Sequence, residues 1–424
     1  MNLPVIKHNS PASLPFAGNR WLPQRNNYVS YVFYFATSYC IPAVGKSILS
    51  VPSGTVDSRL CLRYDVYREV EKKMKIGIIG PALSGKTTLF QLLTGVASTI
   101  GSRGAIPQGA ARVPDDRIEE LVRIFKPKKT TYATVECADF PSLGSGCELT
   151  GEMASRLKAC DALAIVVRAH GDQSVPWPKS PVPPDAAFSG FLHEMILSDL
   201  CQVETILARN KDKKRTADEE RVLKRCQELL EETKPISAGS WGADDEPVLK
   251  NYAFLSSRPV LVAINLDEEQ LQNQAYEGRA SLQALSKENG YPLVEFCGSL
   301  EVEISRMNKP EQEVFLAEYG LAQSGIARFA AAAYQLLELV SFFTVGEDEV
   351  RAWTIRTGTA AKKAAGKIHS DIERGFIRAE VINYADFLEL GGSLKIARDQ
   401  GKLRLEGKEY LVKDGDIINF RFNV

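Results

Sequence analysis

From Met74 onward the sequence predicts an α/β fold, a doubly wound and mostly parallel sheet, and three observations predict it. Short apolar runs alternate with longer amphipathic stretches, the pattern of a sheet covered by helices on both faces. The first run passes straight into Gly80-x-x-x-x-Gly85-Lys86-Thr87, a glycine loop set between a strand and a helix. After Glu349 the texture changes to short strands around modest helices, which marks a small separate α+β domain.

In chain order, "KIGIIG", "TVECADF", "ALAIVVRA", "PVLVAIN" and "LVEFCG" read as the strands of the main sheet. Between the third and fourth lies the charged stretch that begins "FLHEMILSDLCQVETILARNKDKKRTADEERVLKRC". Apolar residues recur at helical spacing on both sides of its polar centre, so it reads as two antiparallel helices joined at a basic tip. "PISAGSWGADDEP" reads as a loop and Glu311 to Phe343 as mostly helical. "EVRAWTIRTG", "FIRAEVINY", "KLRLEGKEYLV" and "DIINFRF" are the strands of the C-terminal domain. The expected boundaries are an extension at 1–73, a nucleotide domain at 74–188 and 251–345, an inserted helical arm at 189–250, and a terminal domain at 346–424.

A chain of 424 residues can bury a sizeable core and form two or three domains. With 52 basic and 53 acidic residues it has no global pull toward DNA, RNA or a membrane, so any polyanion site is local. The eight cysteines are scattered without a Cys-x-x-Cys pair, which fits reduced thiols of a cytosolic protein rather than a disulfide framework or zinc spacing. The first 73 residues are rich in Tyr, Phe, Ser and Pro, and Asn26 to Gly45 carries no charge. Interspersed polar residues make that stretch a poor membrane span, and no cleavage site follows it. The preferred reading takes Met74 as the true start, ahead of a disordered extension or an anchor. Nothing in the sequence speaks to oligomeric state.

The glycines of the loop let backbone N–H groups turn inward around phosphate oxygens, with the helix N-terminus adding a favourable dipole. Lys86 is then placed for the β- and γ-phosphates and the Thr87 hydroxyl for Mg²⁺. The phosphate-binding set is Gly80, Leu83, Ser84, Gly85, Lys86, Thr87 and Thr88. An acid at the end of a second strand must hold the magnesium shell, and "TVECADFPSLGSG" supplies Asp139. In switch GTPases that Asp begins Asp-x-x-Gly; here the fourth position is Ser142, followed by Leu143 rather than a water-orienting Gln.

Several segments together resemble the Obg-like ATPases, known in bacteria as YchF. "RVPDDRIEELVRIFKPKKTTYATVE" is similar to that family's stretch before the magnesium Asp, and "NLDE" to its Asn-x-x-Glu loop. The segment from "EVRAWTIRTG" to "DGDIINFRFN" is similar almost throughout to its C-terminal TGS domain, a ubiquitin-like fold. The resemblance implies a cytoplasmic P-loop NTPase that prefers ATP over GTP, hydrolyses slowly and associates with the ribosome. The large subunit and its RNA would be met through the arm and the TGS domain, without membrane or DNA. It also places a hydrophobic residue, here Leu143, where Ras-like proteins carry the catalytic Gln. Four positions depart from the family pattern. Leu83 stands for a P-loop Asn that can help place potassium, and Ser142 stands for the sensing glycine. The switch I Thr falls on or near Arg103, with only Thr99 and Ser102 close by, and Cys297-Gly298-Ser299 replaces a Ser-Ala-Lys base-stacking loop.

In the guanine-specific Asn-Lys-x-Asp loop the Asp accepts from N1–H and the 2-amino group. Glu268 carries an extra methylene that misplaces its carboxylate for that pair, and adenine has no 2-amino group. Leu266 replaces the Lys and offers apolar cover for either purine, while the resemblance assigns Asn265 to hold the loop against the P-loop. The competing reading of "NLDEE" is a plain helix start capped by Asp267.

Elsewhere the bland reading stands beside the functional one. "RNKDKKR" at the arm tip is either a solvated turn or a contact to RNA phosphates. "KPKK" reads as a solvated turn leading into a strand, His369 as a surface or strand-end histidine, and Cys137 and Cys160 as packed thiols. The expected function is a slow Mg²⁺-dependent ATPase acting as a nucleotide-controlled ribosome factor. A GTPase of the same fold and a non-hydrolysing nucleotide-binding scaffold are the alternatives.

Overall fold

A computed structural model describes residues 74–97, 105–142, 149, 151–177, 180–209 and 216–423. The N-terminal segment, the switch I positions Thr99, Ser102 and Arg103, Leu143 and the arm tip 210–215 lie outside the described residues.

Twelve strands are described: β1 (Lys75–Ile79), β2 (Gln108–Arg112), β3 (Lys129–Thr131), β4 (Thr134–Asp139), β5 (Ala162–Arg168), β6 (Val260–Asn265), β7 (Leu293–Phe296), β8 (Leu339–Thr344), β9 (Glu349–Arg356), β10 (Phe376–Asn383), β11 (Arg404–Glu406) and β12 (Asp416–Phe422). They form two six-stranded sheets. The first has the order β2-β4-β1-β5-β6-β7, all neighbours parallel except β2, which runs antiparallel to β4. All five apolar runs are strands of this sheet. β5 shows why they are apolar on both faces. Ala162, Ala164 and Val166 enter one core, and Leu163, Ile165 and Val167 enter the other. Helix α1 (Lys86–Thr94) and the helix Gly325–Leu336 cover the first face; α3 (Gly151–Leu157) and α4 (Pro184–Arg209) cover the second.

The arm is a pair of packed helices, α4 and α5 (Ala217–Glu231). Ile196, Val203, Val222, Leu223, Cys226 and Leu230 zip them together at helical spacing. The Thr216 hydroxyl accepts from Glu219 N at 3.2 Å and caps α5, whose first turn carries Asp218, Glu219 and Glu220. No helix of the described residues is long and apolar enough to cross a membrane.

The second sheet has the order β11-β10-β12-β8-β9-β3. Two features differ from expectation. Leu339–Thr344, inside a stretch expected to be mostly helical, is strand β8; a six-residue apolar run carries no periodicity that separates strand from helix. The terminal domain is also not separate. β3, from between α2 (Asp116–Phe125) and β4, adds to its edge in parallel with β9. One core cluster runs from Ile76 and Leu89 through Phe343, Val350 and Phe387 to Ile417. Phe125 stacks on Phe387 at 5.8 Å, and Arg117 joins Asp414 at 2.7 Å. The "KPKK" lysines sit on this seam, Lys128 Nζ 2.8 Å from Asp348 and Lys129 Nζ 3.2 Å from Glu349. His369 is exposed and caps the helix Ser370–Arg374, its Nδ1 accepting from Asp371 N. Cys137 and Cys160 are buried, and burial pushes the Cys137 thiol up to about 12.

Candidate nucleotide site

The loops at the carboxyl ends of β1, β4, β5, β6 and β7 converge, at the point where strand order reverses between β1 and β5. Open α/β sheets bind ligands there. The loop after β1 needs both of its motif glycines. A Cβ on Gly80 would collide with the Val166 carbonyl oxygen, and one on Gly85, whose φ is +91°, would strike Asn265 Nδ2. Leu83 has a φ of 61°, the left-handed region that a leucine rarely adopts, and is 47% exposed.

Lys86 opens α1 and is only 4% exposed. Burial lowers its pKa, against the opposing pull of the Asp139 carboxylate. Its ammonium donates to Pro81 O at 3.3 Å and to the Ser142 hydroxyl. Next along the helix, Thr87 Oγ1 donates to Asp139 Oδ2 at 3.0 Å, and Asp139 is fully buried. A hydroxyl and a carboxylate side by side are hard oxygen ligands of the kind Mg²⁺ takes, one or two from protein with the rest from water and phosphate. The Ser84 hydroxyl in the same loop is buried with no hydrogen-bond partner among the described residues. The donors therefore fit a magnesium nucleotide. Among the described residues no group of three or more His, Cys, Asp or Glu side chains could hold a metal by itself.

At the other end, Asn265 ties three loops together. Its Nδ2 donates to Ser84 O at 3.2 Å, and its Oδ1 accepts from Gly298 N at 3.0 Å. Leu266 N donates to Phe296 O at 2.8 Å. The Leu266 side chain, expected as apolar cover, is 2% exposed and belongs to the core beneath, so it forms floor rather than lid. Asp267 caps the helix Glu268–Asn273 in a capping box, with Gln270 N donating to Asp267 Oδ1 at 2.9 Å and Asp267 N to Gln270 Oε1 at 3.1 Å. Asp267, Glu268 and Glu269 all line the cavity, and of these Asp267 takes the cap. Glu268 Oε2 accepts from the Tyr319 hydroxyl at 3.4 Å.

These groups line one cavity of about 730 Å³, which includes Leu83, Gly85, Thr88, Asn265, Leu266 and Glu268. Lys86, Thr87 and Asp139 are outside its lining, which reaches Gly85 and Thr88, the chain neighbours of the first two. Sequence reasoning missed His170, Asp172, Val175 and Val302 in the lining and Arg168 behind it, while Gly298 and Ser299, singled out as the place of the base-stacking loop, do line it. Arg168, at the end of β5, donates to the carbonyls of His170, Asp172, Val175 and Pro176 and so shapes the loop that forms one wall. Burial, with the Arg168 charge beside it, lowers the His170 pKa and favours its neutral form. A polar segment right after the central strand was the available signal.

The fold and this site define a P-loop NTPase. A family model for the YchF-GTPase C-terminal region, described as a protein of unknown function (DUF933), matches residues 339–423. The chain is 36% identical over 363 residues to the Bacillus subtilis (strain 168) protein named ribosome-binding ATPase YchF, covering 82% of this chain and 99% of that one. It is 34% identical over 367 residues to the Caenorhabditis elegans Obg-like ATPase 1, covering 82% and 92%. The structure of the Schizosaccharomyces pombe YchF GTPase superposes with a TM-score of 0.74 at 27% identity, covering 82% of this chain and 98% of that one. The chain belongs to the YchF/Obg-like ATPase family.

Proposed function

We propose that the protein is a slow, Mg²⁺-dependent ATPase that works in the cytoplasm as a nucleotide-controlled ribosome-binding factor. The observation that carries this reading is the Thr87–Asp139 pair beside the buried Lys86 at the start of α1, with a cavity lined by the flanking Gly85 and Thr88 and by Asn265 and Glu268. Lys86 binds the β- and γ-phosphates, and Thr87 and Asp139 order the metal shell. Bound Mg²⁺ supplies neutralisation of the phosphate oxygens. Asn265 fixes the distance between the phosphate loop and the base loop. Glu268 accepts from the adenine amino group, and the longer side chain disfavours the paired acceptance that guanine requires. Slow turnover follows from Leu143, which carries no group able to orient water, where Ras-like proteins use a Gln. Ribosome binding rests on the printed names of the relatives, and we assign it to the arm and the TGS domain acting on the large subunit and its RNA.

Calorimetric titration of the full chain with Mg²⁺ and either ATP or GTP tests the base assignment. ATP should bind more tightly, and equal or tighter GTP binding sinks it. Phosphate release should be slow alone and faster with ribosomes; firm ATP binding with no turnover in either case would favour the scaffold. Lys86→Ala should lose nucleotide binding, and normal turnover by that variant refutes the site. Co-sedimentation with ribosomes should weaken when Lys211, Lys213 and Lys214 are replaced together by Glu, and weaken less at high salt, where the wild type is itself released.

A further inference from the structure

The helix Lys309–Glu318 has no buried residue. Asn308 and Glu311 start it with a capping box, and Pro310 stands in its first turn. Gln312 fastens it to the body, its Nε2 donating to Ile304 O at 2.9 Å and to Met307 O at 3.1 Å. Met307, Pro310, Glu311, Val314, Phe315 and Glu318 recur at the three-and-four spacing of one helical stripe, and they line an open groove of about 570 Å³. Such a stripe ordinarily packs into a core. Here Val314, at its centre, is 64% exposed.

We infer that this groove is a docking site for a basic amphipathic helix of a protein partner, whose apolar residues cover Val314 and Phe315 and whose Lys or Arg side chains meet Glu311 and Glu318. The charges select the occupant. Glu311 and Glu318 stand seven residues apart at the two ends of the apolar strip, about 10 Å along the axis, which matches two turns of a partner helix. One Glu311 oxygen is held in place by accepting from Asn308 N at 3.0 Å. Glu313 adds a third carboxylate, and the single basic residue of the helix, Lys309, has its Nζ 3.6 Å from Glu119. Arg306 precedes the helix and is outside the lining. This rim repels RNA phosphates and anionic lipid headgroups and attracts a cationic helix. A helix laid into a groove through anchors at i, i+3, i+4 and i+7 is the matching mode of recognition. The groove shares no lining residue with the nucleotide cavity, so the inference stands apart from the nucleotide reading.

The test is fluorescence anisotropy on the full chain with a labelled synthetic helix of about 18 residues that carries Leu at i, i+3, i+4 and i+7 and Lys on the flanks. A second peptide replaces each Lys by Glu. The Lys peptide should bind, and the Glu peptide should bind at least about tenfold more weakly. Val314→Asp should weaken the Lys peptide by about tenfold or more, because it sets a charge against the partner's apolar face. Glu318→Lys should weaken it by about threefold to tenfold, a difference that shrinks at high salt. If Val314→Asp does not fold, Glu318→Lys carries the comparison alone. No binding of the Lys peptide, equal binding of both peptides, or a Lys peptide indifferent to both variants overturns the inference. A wild-type dimer in sedimentation velocity that Val314→Asp dissolves also overturns it, since a second copy then covers the groove. Binding of poly(U) or of phosphatidylserine vesicles that Val314→Asp abolishes overturns it as well.

Discussion

Leu83 shows how a single backbone angle separates what a motif tolerates from what it prefers. Its φ of 61° costs an L-residue about 1 kcal/mol or more, and asparagine bears that conformation far better. Its side chain is 47% exposed, so replacement forfeits little burial. Leu83→Asn should therefore raise the urea midpoint by an amount corresponding to about 0.5–1 kcal/mol, and an unchanged or lower midpoint would show that the loop is not strained there. Lys86, Thr87 and Asp139 were each legible as single letters. That Thr87 and Asp139 touch at 3.0 Å, and that Lys86 is engaged by Ser142, depends on two strands 52 or more residues apart.

Among the elements, the helix Glu268–Asn273 starts on a capping box made by Asp267. A helix cap and a base reader were competing readings of "NLDEE". Asp267 is the cap, and it lines the cavity together with Glu268 and Glu269, so the cap does not exclude the second reading. Helix α4 carries a comparable device. Asp199 is fully buried, and its two oxygens accept from Leu255 N at 2.9 Å and Ser256 N at 2.7 Å, pinning the arm to the loop that leads into β6. Burial raises its pKa, which those hydrogen bonds partly oppose. Asp199→Ala strands two buried N–H donors and should cost about 2–4 kcal/mol by urea unfolding. Leu197→Ala, at an exposed position on the same helix, should stay within about 0.5 kcal/mol, and equal losses would refute the pin. No pattern in the sequence joins Asp199 to Leu255.

Across the whole molecule, the terminal domain is built into the nucleotide domain. β3 completes its sheet and the two share one apolar core. Phe343 lies in that core fully buried, with the Arg117 guanidinium 5.2 Å from its ring. Phe343→Ala should lower stability by about 3–5 kcal/mol. Unfolding should remain one transition, with circular dichroism and tryptophan fluorescence coincident; two separated transitions would show that the halves fold independently. β3, at the edge of the second sheet, is followed within a few residues by β4, which ends at Asp139.

The sequence by itself determined the elements whose signal is local. The five apolar strands of the first sheet, the glycine loop, the antiparallel arm and most strands of the TGS domain all follow from periodicity, turn chemistry and glycine spacing within a few residues. Only the tertiary structure decided that β3 and β8 join the second sheet, that Arg168 shapes the wall with His170, that Leu266 is floor, and that Ser142 meets Lys86. Each of these depends on which distant segments share a sheet edge or a cavity. Strand pairing and burial are settled by contacts tens to hundreds of residues apart, where a short apolar run or a lone polar residue carries no local mark of its partner.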